Sequence, residues 1–229
     1  MVSSPTFDDG VPHERIDADD WEEIYVVGDV HGCLLELESL LDTLAPSSDD
    51  LVVFVGDLIR KGPDSLGVVE LVRERDNFRS VRGNNEQKLI DGSVELDGFG
   101  EEEIEYVRSL PAAISWDDAL VVHGGVDPRK PLSDHSVDDL ETTRSLAPDG
   151  SYDRPFWFEE YEGPRRVFFG HTVLERPVER EYAVGLDTGC VYGGTLTAYE
   201  YRDDEFVTQP SRRTGKSRSD DSIVTPQPH

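Results

Sequence analysis

The chain has 229 residues, enough to bury one large core, and its 49 acidic against 22 basic side chains give a formal net charge of -27. That charge excludes loose binding to nucleic acid or anionic membranes, and no stretch approaches the roughly 20 apolar residues of a membrane span. Its self-repulsion strains a compact state unless salt screens it, so the composition predicts a halophilic protein from a salt-rich cytoplasm.

Residues 1–21, rich in Asp, Ser and Pro, predict a flexible acidic arm in which His13 is solvated. A folded domain is expected over 22–208. It opens with a buried strand, Ile24–Val27, that runs into Gly28-Asp29-Val30-His31-Gly32. Asp29 and His31, two apart on a roughly extended backbone, are expected to point the same way. A carboxylate and an imidazole aimed together make a half-site for a divalent metal; the plainer reading is a polar turn that happens to hold a histidine. Cys33–Leu44 has the helical stripe Leu34, Leu37, Leu40, Leu41 and Leu44. Leu51–Val55 is a second buried strand, followed at once by Gly56-Asp57. This βαβ rhythm sets acidic residues at strand C-termini, where open α/β folds place their ligands.

Pro63–Arg75 reads as another helix, and Phe78–Val81 as a strand running into Arg82-Gly83-Asn84-Asn85-Glu86. Residues 92–110 read as an excursion, a loop and the acidic helix Glu101–Leu110, forming a solvated cap. Ala112–Trp116 and Ala119–Val122 form a hairpin about Asp117-Asp118, and the second strand ends in His123-Gly124-Gly125. Val137–Leu146 is predicted helical. Arg166–Phe169 is a strand ending in Gly170-His171-Thr172, and short strands at Ala183–Leu186, Thr195–Tyr201 and Glu205–Thr208 complete the core. Residues 209–229 offer nothing to bury and predict a disordered tail. Cys33 and Cys190 fit neither a zinc site nor a disulfide framework, and no signal peptide opens the chain, so the cytoplasm is the expected location.

Five strand ends thus carry Asp29 with His31, Asp57, Asn84, His123 and His171, each beside a glycine. In that order, GDVHG, GDLIRKGP, RGNNE, VVHGG and FFGHT resemble the calcineurin-like metallophosphoesterases, nearest the bacterial-type Ser/Thr phosphatases and symmetrical diadenosine tetraphosphatases. The likeness runs from about Tyr25 to Tyr201 and takes in VDPRKPL and LDTGCVYGGTLTAY. It implies an α/β fold, a two-sheet β-sandwich flanked by helices, with a dimetal centre at the strand ends. By position, Asp29 and His31 would hold one metal, Asp57 would bridge, and Asn84, His123 and His171 would complete the second. Imidazole mixed with carboxylate suits manganese, or else iron or zinc, better than magnesium. Two such ions create a bound hydroxide for in-line phosphoryl displacement. Asp57, Arg82 and Asn85 become the candidate catalytic residues, and Lys61, Arg82, Asn84 and Arg144 the candidate phosphate contacts, although Arg144 is the weaker candidate, being better explained as a solvated surface cation.

The sequence departs from that family at two places. Where the third motif usually places a histidine that protonates the leaving oxygen, this chain has Asn85. Where many of its protein phosphatases place an aspartate that orients that histidine, it has Arg60, followed by Lys61 rather than arginine. A general acid is worth roughly 10²–10⁴ in rate, about 3–5 kcal/mol. A serine alkoxide, titrating near water's ~15.7, needs that proton; a phosphate leaving group, titrating near ~6, does not. The expected substrates are therefore phosphoanhydrides, such as a dinucleoside polyphosphate or nucleotide. A phosphoprotein substrate, for a Ser/Thr or Tyr protein phosphatase, is the alternative. A catalytically weak phosphate- or nucleotide-binding sensor is a reading from another class, and a nuclease is disfavoured by the charge.

Overall fold

The computed structural model describes residues 5–148, 151–212, 219 and 222–227. The chain enters a sheet earlier than its composition suggested: β1 (His13–Arg15) pairs in parallel with Ala113–Ser115. The segment read as an acidic arm is docked there by buried Val11, by Phe7, and by a 2.9 Å hydrogen bond between His13 Nε2 and Ser115 Oγ. Backbone pairing at a sheet edge requires no hydrophobic alternation, so the polar sequence of β1 hides it.

From β2 (Ile24–Val27) the chain passes through α1 (Leu34–Leu44), β3 (Leu51–Phe54), α2 (Ser65–Arg73) and β4 (Phe78–Ser80). There follow α3 (Asn84–Ile90), α4 (Glu101–Ser109), β5 (Ala113–Trp116), β6 (Ala119–Val122), α5 (Val137–Thr142) and α6 (Trp157–Glu160). The order closes with β7 (Arg166–Phe169), β8 (Val178–Arg180), β9 (Ala183–Gly185), β10 (Thr195–Glu200) and β11 (Glu205–Pro210). Two sheets form, in the orders β11-β10-β2-β3-β4 and β1-β5-β6-β7-β9-β8. The strands β2, β3 and β4 run parallel, as do β6, β7 and β9, so both triplets deliver their C-terminal loops to one end.

Alternation along the strands builds three layers of core. Ile24 and Val26 of β2, with Leu51 and Val53 of β3, face between the sheets, where they meet Ile114, Trp116, Val121 and Phe168. Tyr25, Val27, Val52 and Phe54 face outward onto Leu37, Leu40, Val68 and Val72 of α1 and α2. On the other sheet Leu120, Val122, Val167 and Phe169 face Leu140, Trp157 and Phe158. Strands covered on both faces read as continuous apolar runs, which is why they were legible as IYVV, LVVF and ALVV. The expected sandwich with flanking helices is the fold observed.

Three local expectations change. The 92–110 excursion is not merely a solvated cap, since Val107 is buried and Val94, Leu96, Phe99 and Tyr106 pack on the helix-side core. The helix expected over Val137–Leu146 stops at Thr142; Ser145 then bridges to Phe156, and Arg144 accepts from the Trp157 amide at 3.0 Å through its carbonyl. The segment read as a disordered tail holds Pro210 at the end of β11 and docks Val224, whose amide donates to Val173 O at 2.8 Å. Residues 213–218, 220, 221, 228 and 229 of that tail lie outside the described residues. Because Val224 is buried in the cluster with Leu174 and Phe169, Val224→Asp is expected to cost about 2 kcal/mol or more in chemical denaturation.

Candidate metal centre

The five strand-end motifs converge. Oxygen and nitrogen atoms of Asp29, His31 and Asp57, all buried, lie within 4.8 Å of one another. His31 Nε2 is 3.4 Å from Asp57 Oδ2 and 3.7 Å from Asp29 Oδ2. On the other side of Asp57, His123 Nε2 is 3.4 Å from Oδ1, and 3.2 Å from Asn84 Oδ1. His171 Nδ1 is 3.1 Å from the same Asn84 oxygen. The His171 amide reaches Asp29 Oδ1 at 3.2 Å, which ties the two halves together. All six residues expected as ligands are thus in one cluster, with Asp57 at its middle.

The protonation pattern tests whether cations belong there. His31 Nδ1 faces the Ile59 carbonyl at 3.1 Å and His123 Nδ1 the Val55 carbonyl at 2.8 Å, and a carbonyl can only accept. Both rings therefore direct Nε2 at carboxylate oxygen, an arrangement that requires positive charge between them. At His31 burial is the main effect and holds the imidazole down at about 3, so Nε2 accepts instead from Lys61 Nζ at 2.6 Å. At His123 burial opposes charge, but Asp57 and Asp29 outweigh it and push the imidazole up to about 10, so the carboxylates favour positive charge in that gap. Burial, then Asp187, raises Asp29 well above the carboxylate range. A buried nest of carboxylates and imidazoles with Lys61 drawn against it fits divalent ions, which Asp29, His31, Asp57, Asn84, His123 and His171 would hold.

The expected anion-binding cations divide. Lys61 stands at the centre. Arg144, better explained by solvation in the sequence, is brought in: its Nη2 donates to His171 Nε2 at 2.6 Å, and its guanidinium lies 4.3 Å over the Tyr152 ring. Arg82 is turned onto Glu141, to which its Nε donates at 2.9 Å. Asn85 is buried, with its amide donating to Asp57 Oδ1 at 2.9 Å and its side-chain Nδ2 to Oδ2. Its remaining oxygen accepts from Arg60 Nη1 at 2.6 Å.

Local backbone explains how the side chains meet. Asp29 and His31 do not converge along an extended strand; His31 sits at φ 51, a left-handed turn that swings its ring back toward Asp57. Of eight non-glycine residues with positive φ among the described residues, His31, Asp57, Arg60, Lys61 and His171 belong to this centre. Side-chain-bearing residues occupy that region rarely and at a cost of about 1–3 kcal/mol when strained, and such residues concentrate at functional sites. Glycine serves a different need at Gly170, where a Cβ would overlap Asp29 Oδ1. Gly170→Ala is therefore expected to displace that carboxylate and weaken manganese binding about 10–100-fold by titration calorimetry, with the fold intact.

Two buried acids were missed. Glu86 accepts from the Asp57 amide at 2.8 Å, the Gly83 amide at 2.8 Å and the Ile59 amide at 3.2 Å, and so fixes the Asp57 loop. Burial, reinforced by Asp57, pushes Glu86 up to about 7. Asp187 lies in LDTG, with Oδ1 accepting from the Gly189 amide at 3.0 Å. Both lie inside motifs that resembled the family, which was the available signal.

The family model of the calcineurin-like phosphoesterases matches residues 23–204. The bis(5'-nucleosyl)-tetraphosphatase PrpE of Halalkalibacterium halodurans, designated asymmetrical, is 33% identical over 232 residues, covering 82% of this chain and 94% of that protein. Serine/threonine-protein phosphatase 1 of Salmonella typhimurium is 30% identical over 207 residues, covering 81% and 94%. A crystal structure assigned provisionally as a diadenosine tetraphosphatase superposes with a TM-score of 0.78 at 30% identity, over 88% of this chain and 98% of that one.

Proposed function

The chain belongs to the calcineurin-like phosphoesterases, a dimetal-dependent family, and we propose that it hydrolyses phosphoanhydrides, dinucleoside polyphosphates above all, in preference to phosphoserine esters. The observation that carries this reading is the Arg60–Asn85 pair beside Asp57. Divalent ions bound there supply Lewis acidity and a nucleophilic water at neutral pH. The mixed donor set favours manganese, with iron or zinc as alternatives.

The chain's own groups do the rest. Asp29, His31, Asp57, Asn84, His123 and His171 would hold the ions. Lys61 and Arg144, both directed at ligand imidazoles, are placed to neutralise charge on the equatorial oxygens of the phosphoryl group. Water attacks phosphorus as the bond to the bridging oxygen breaks on the opposite side. A leaving phosphate departs without a proton, and Arg60 offers it a fixed positive charge. An alkoxide needs a proton, which neither an amide nor an always-charged guanidinium readily gives.

A Ser/Thr protein phosphatase is the second reading, favoured by the likeness to the Salmonella enzyme. The sensor reading is opposed by the six convergent ligand positions. The net charge of -27 supports a salt-rich cytoplasm as the setting. Turnover of diadenosine tetraphosphate and of a phosphoserine peptide, compared with manganese present, tests the proposal. The anhydride is expected to be faster, and faster peptide hydrolysis would refute it.

A further inference from the structure

A cavity of about 610 Å³ meets the candidate metal centre at Lys61. Its walls come from the start of α1 (Leu34, Leu35), from Lys61 to Asp64, and from the turn at Cys190 and Val191. Lys61 belongs to both places, lining the cavity while its Nζ lies 2.6 Å from His31 Nε2. Gly62, the next residue in the wall, donates its amide to His31 O at 2.8 Å. A phosphate held by Lys61 would have this space beside it.

We propose that the cavity binds one nucleoside of the polyphosphate substrate, a subsite that rests on the phosphoanhydride reading above. Three observations favour that occupant. The volume is that of a small-molecule site, within the usual range of about 300–1,000 Å³. Leu34, Pro63 and Val191 give apolar faces for a base, and Leu35, 47% exposed, is the one large hydrophobic side chain left open to solvent among the described residues. Leu35 lines the cavity with its side chain partly exposed, so it can cover one face of a base. Two carboxylates stand in the wall: Glu36, whose Oε1 accepts from the Arg212 amide at 2.9 Å, and Asp64, whose Oδ1 accepts from the Gly67 amide at 2.8 Å, and each has a second oxygen able to accept while it repels anions. They match a group rich in donors, the ribose hydroxyls and ring amines of a nucleoside, while the phosphates stay at Lys61.

Leu35→Ala tests this without altering charge, and alanine in the first turn of α1 favours the helix. With manganese bound, AMP is expected to bind the wild-type chain at least about tenfold more tightly than inorganic phosphate in titration calorimetry. In Leu35→Ala the AMP affinity should fall about fivefold or more, closing that gap. In turnover, the ratio of KM values for tripolyphosphate and diadenosine tetraphosphate should shrink toward one in the variant. Equal wild-type affinities for AMP and phosphate, or an AMP affinity that Leu35→Ala leaves unmoved, overturns the nucleoside subsite. So does displacement of AMP from the centre with a basic peptide taking the Leu35-dependent site. If neither polyphosphate is hydrolysed yet AMP binding still depends on Leu35, the phosphoanhydride reading fails and the subsite stands.

Discussion

Asp57→Asn is expected to lower kcat for an aryl phosphate, with manganese supplied, by about a thousandfold or more. Asp57 lies 3.4 Å from both His31 and His123, so its charge serves both halves of the centre. Loss of several kcal/mol of Lewis-acid stabilisation, at 1.36 kcal/mol per decade, gives that magnitude. Asparagine also brings a second NH₂ against the donating Nδ2 of Asn85. The loss should not come from unfolding. Asp29, Glu86 and Asp187 are buried acids nearby, and burial raises Asp29 and Glu86 at neutral pH. At Asp57 itself burial opposes the charge, but His123, His31 and Lys61 outweigh it and hold the carboxyl well below the usual range, so the metal-free variant should melt a few degrees below wild type while keeping its native circular dichroism. Calorimetry should meanwhile show weaker manganese binding. A variant that kept more than a tenth of its activity would remove Asp57 from the centre of the chemistry.

Much of this centre was legible because its ligands follow strands buried on both faces, and such strands are short apolar runs that end in glycine and a polar residue. The six candidate positions at strand ends and the βαβ rhythm of the first strands were readable on those terms, whereas their role as ligands is what the family resemblance implies and the parallel run of β6, β7 and β9 was not foreseen. What escaped depends on the path of the backbone between motifs. The left-handed turns at His31, Asp57 and His171 are set by the surrounding packing, and no residue-type preference announces them outside glycine. Arg144 looked like one more cation on a helical face. It reaches His171 because α5 ends early and Arg144 and Ser145 pair instead with Trp157 and Phe156. β1 and Val224 escaped for the reason that segments of polar composition can dock through backbone hydrogen bonds and one buried side chain. Asn85 and Arg60 were each visible as departures, but their hydrogen bond to one another was not.

That hydrogen bond makes the substrate preference reversible by design. Arg60→Asp with Asn85→His is expected to raise turnover of a phosphoserine peptide by about 10²-fold or more, while diadenosine tetraphosphate changes by no more than a few-fold. The asymmetry follows from the leaving groups: a proton donor lowers the barrier where an alkoxide would otherwise depart, and does little for a phosphate that leaves as an anion. The single variants should gain less. Asn85→His alone sets its imidazole against the Arg60 guanidinium, which lies 2.6 Å from the present Asn85 oxygen and disfavours the protonated ring that must give the proton. Arg60→Asp alone leaves an amide in the donor's place and adds a carboxylate where the leaving phosphate would meet a cation, so anhydride hydrolysis should fall with no gain on the ester. Rates for both substrates across the four proteins give the coupling directly. An ester gain confined to the double variant identifies the pair as the determinant of leaving-group choice, whereas equal gains on ester and anhydride would separate the preference from proton donation altogether.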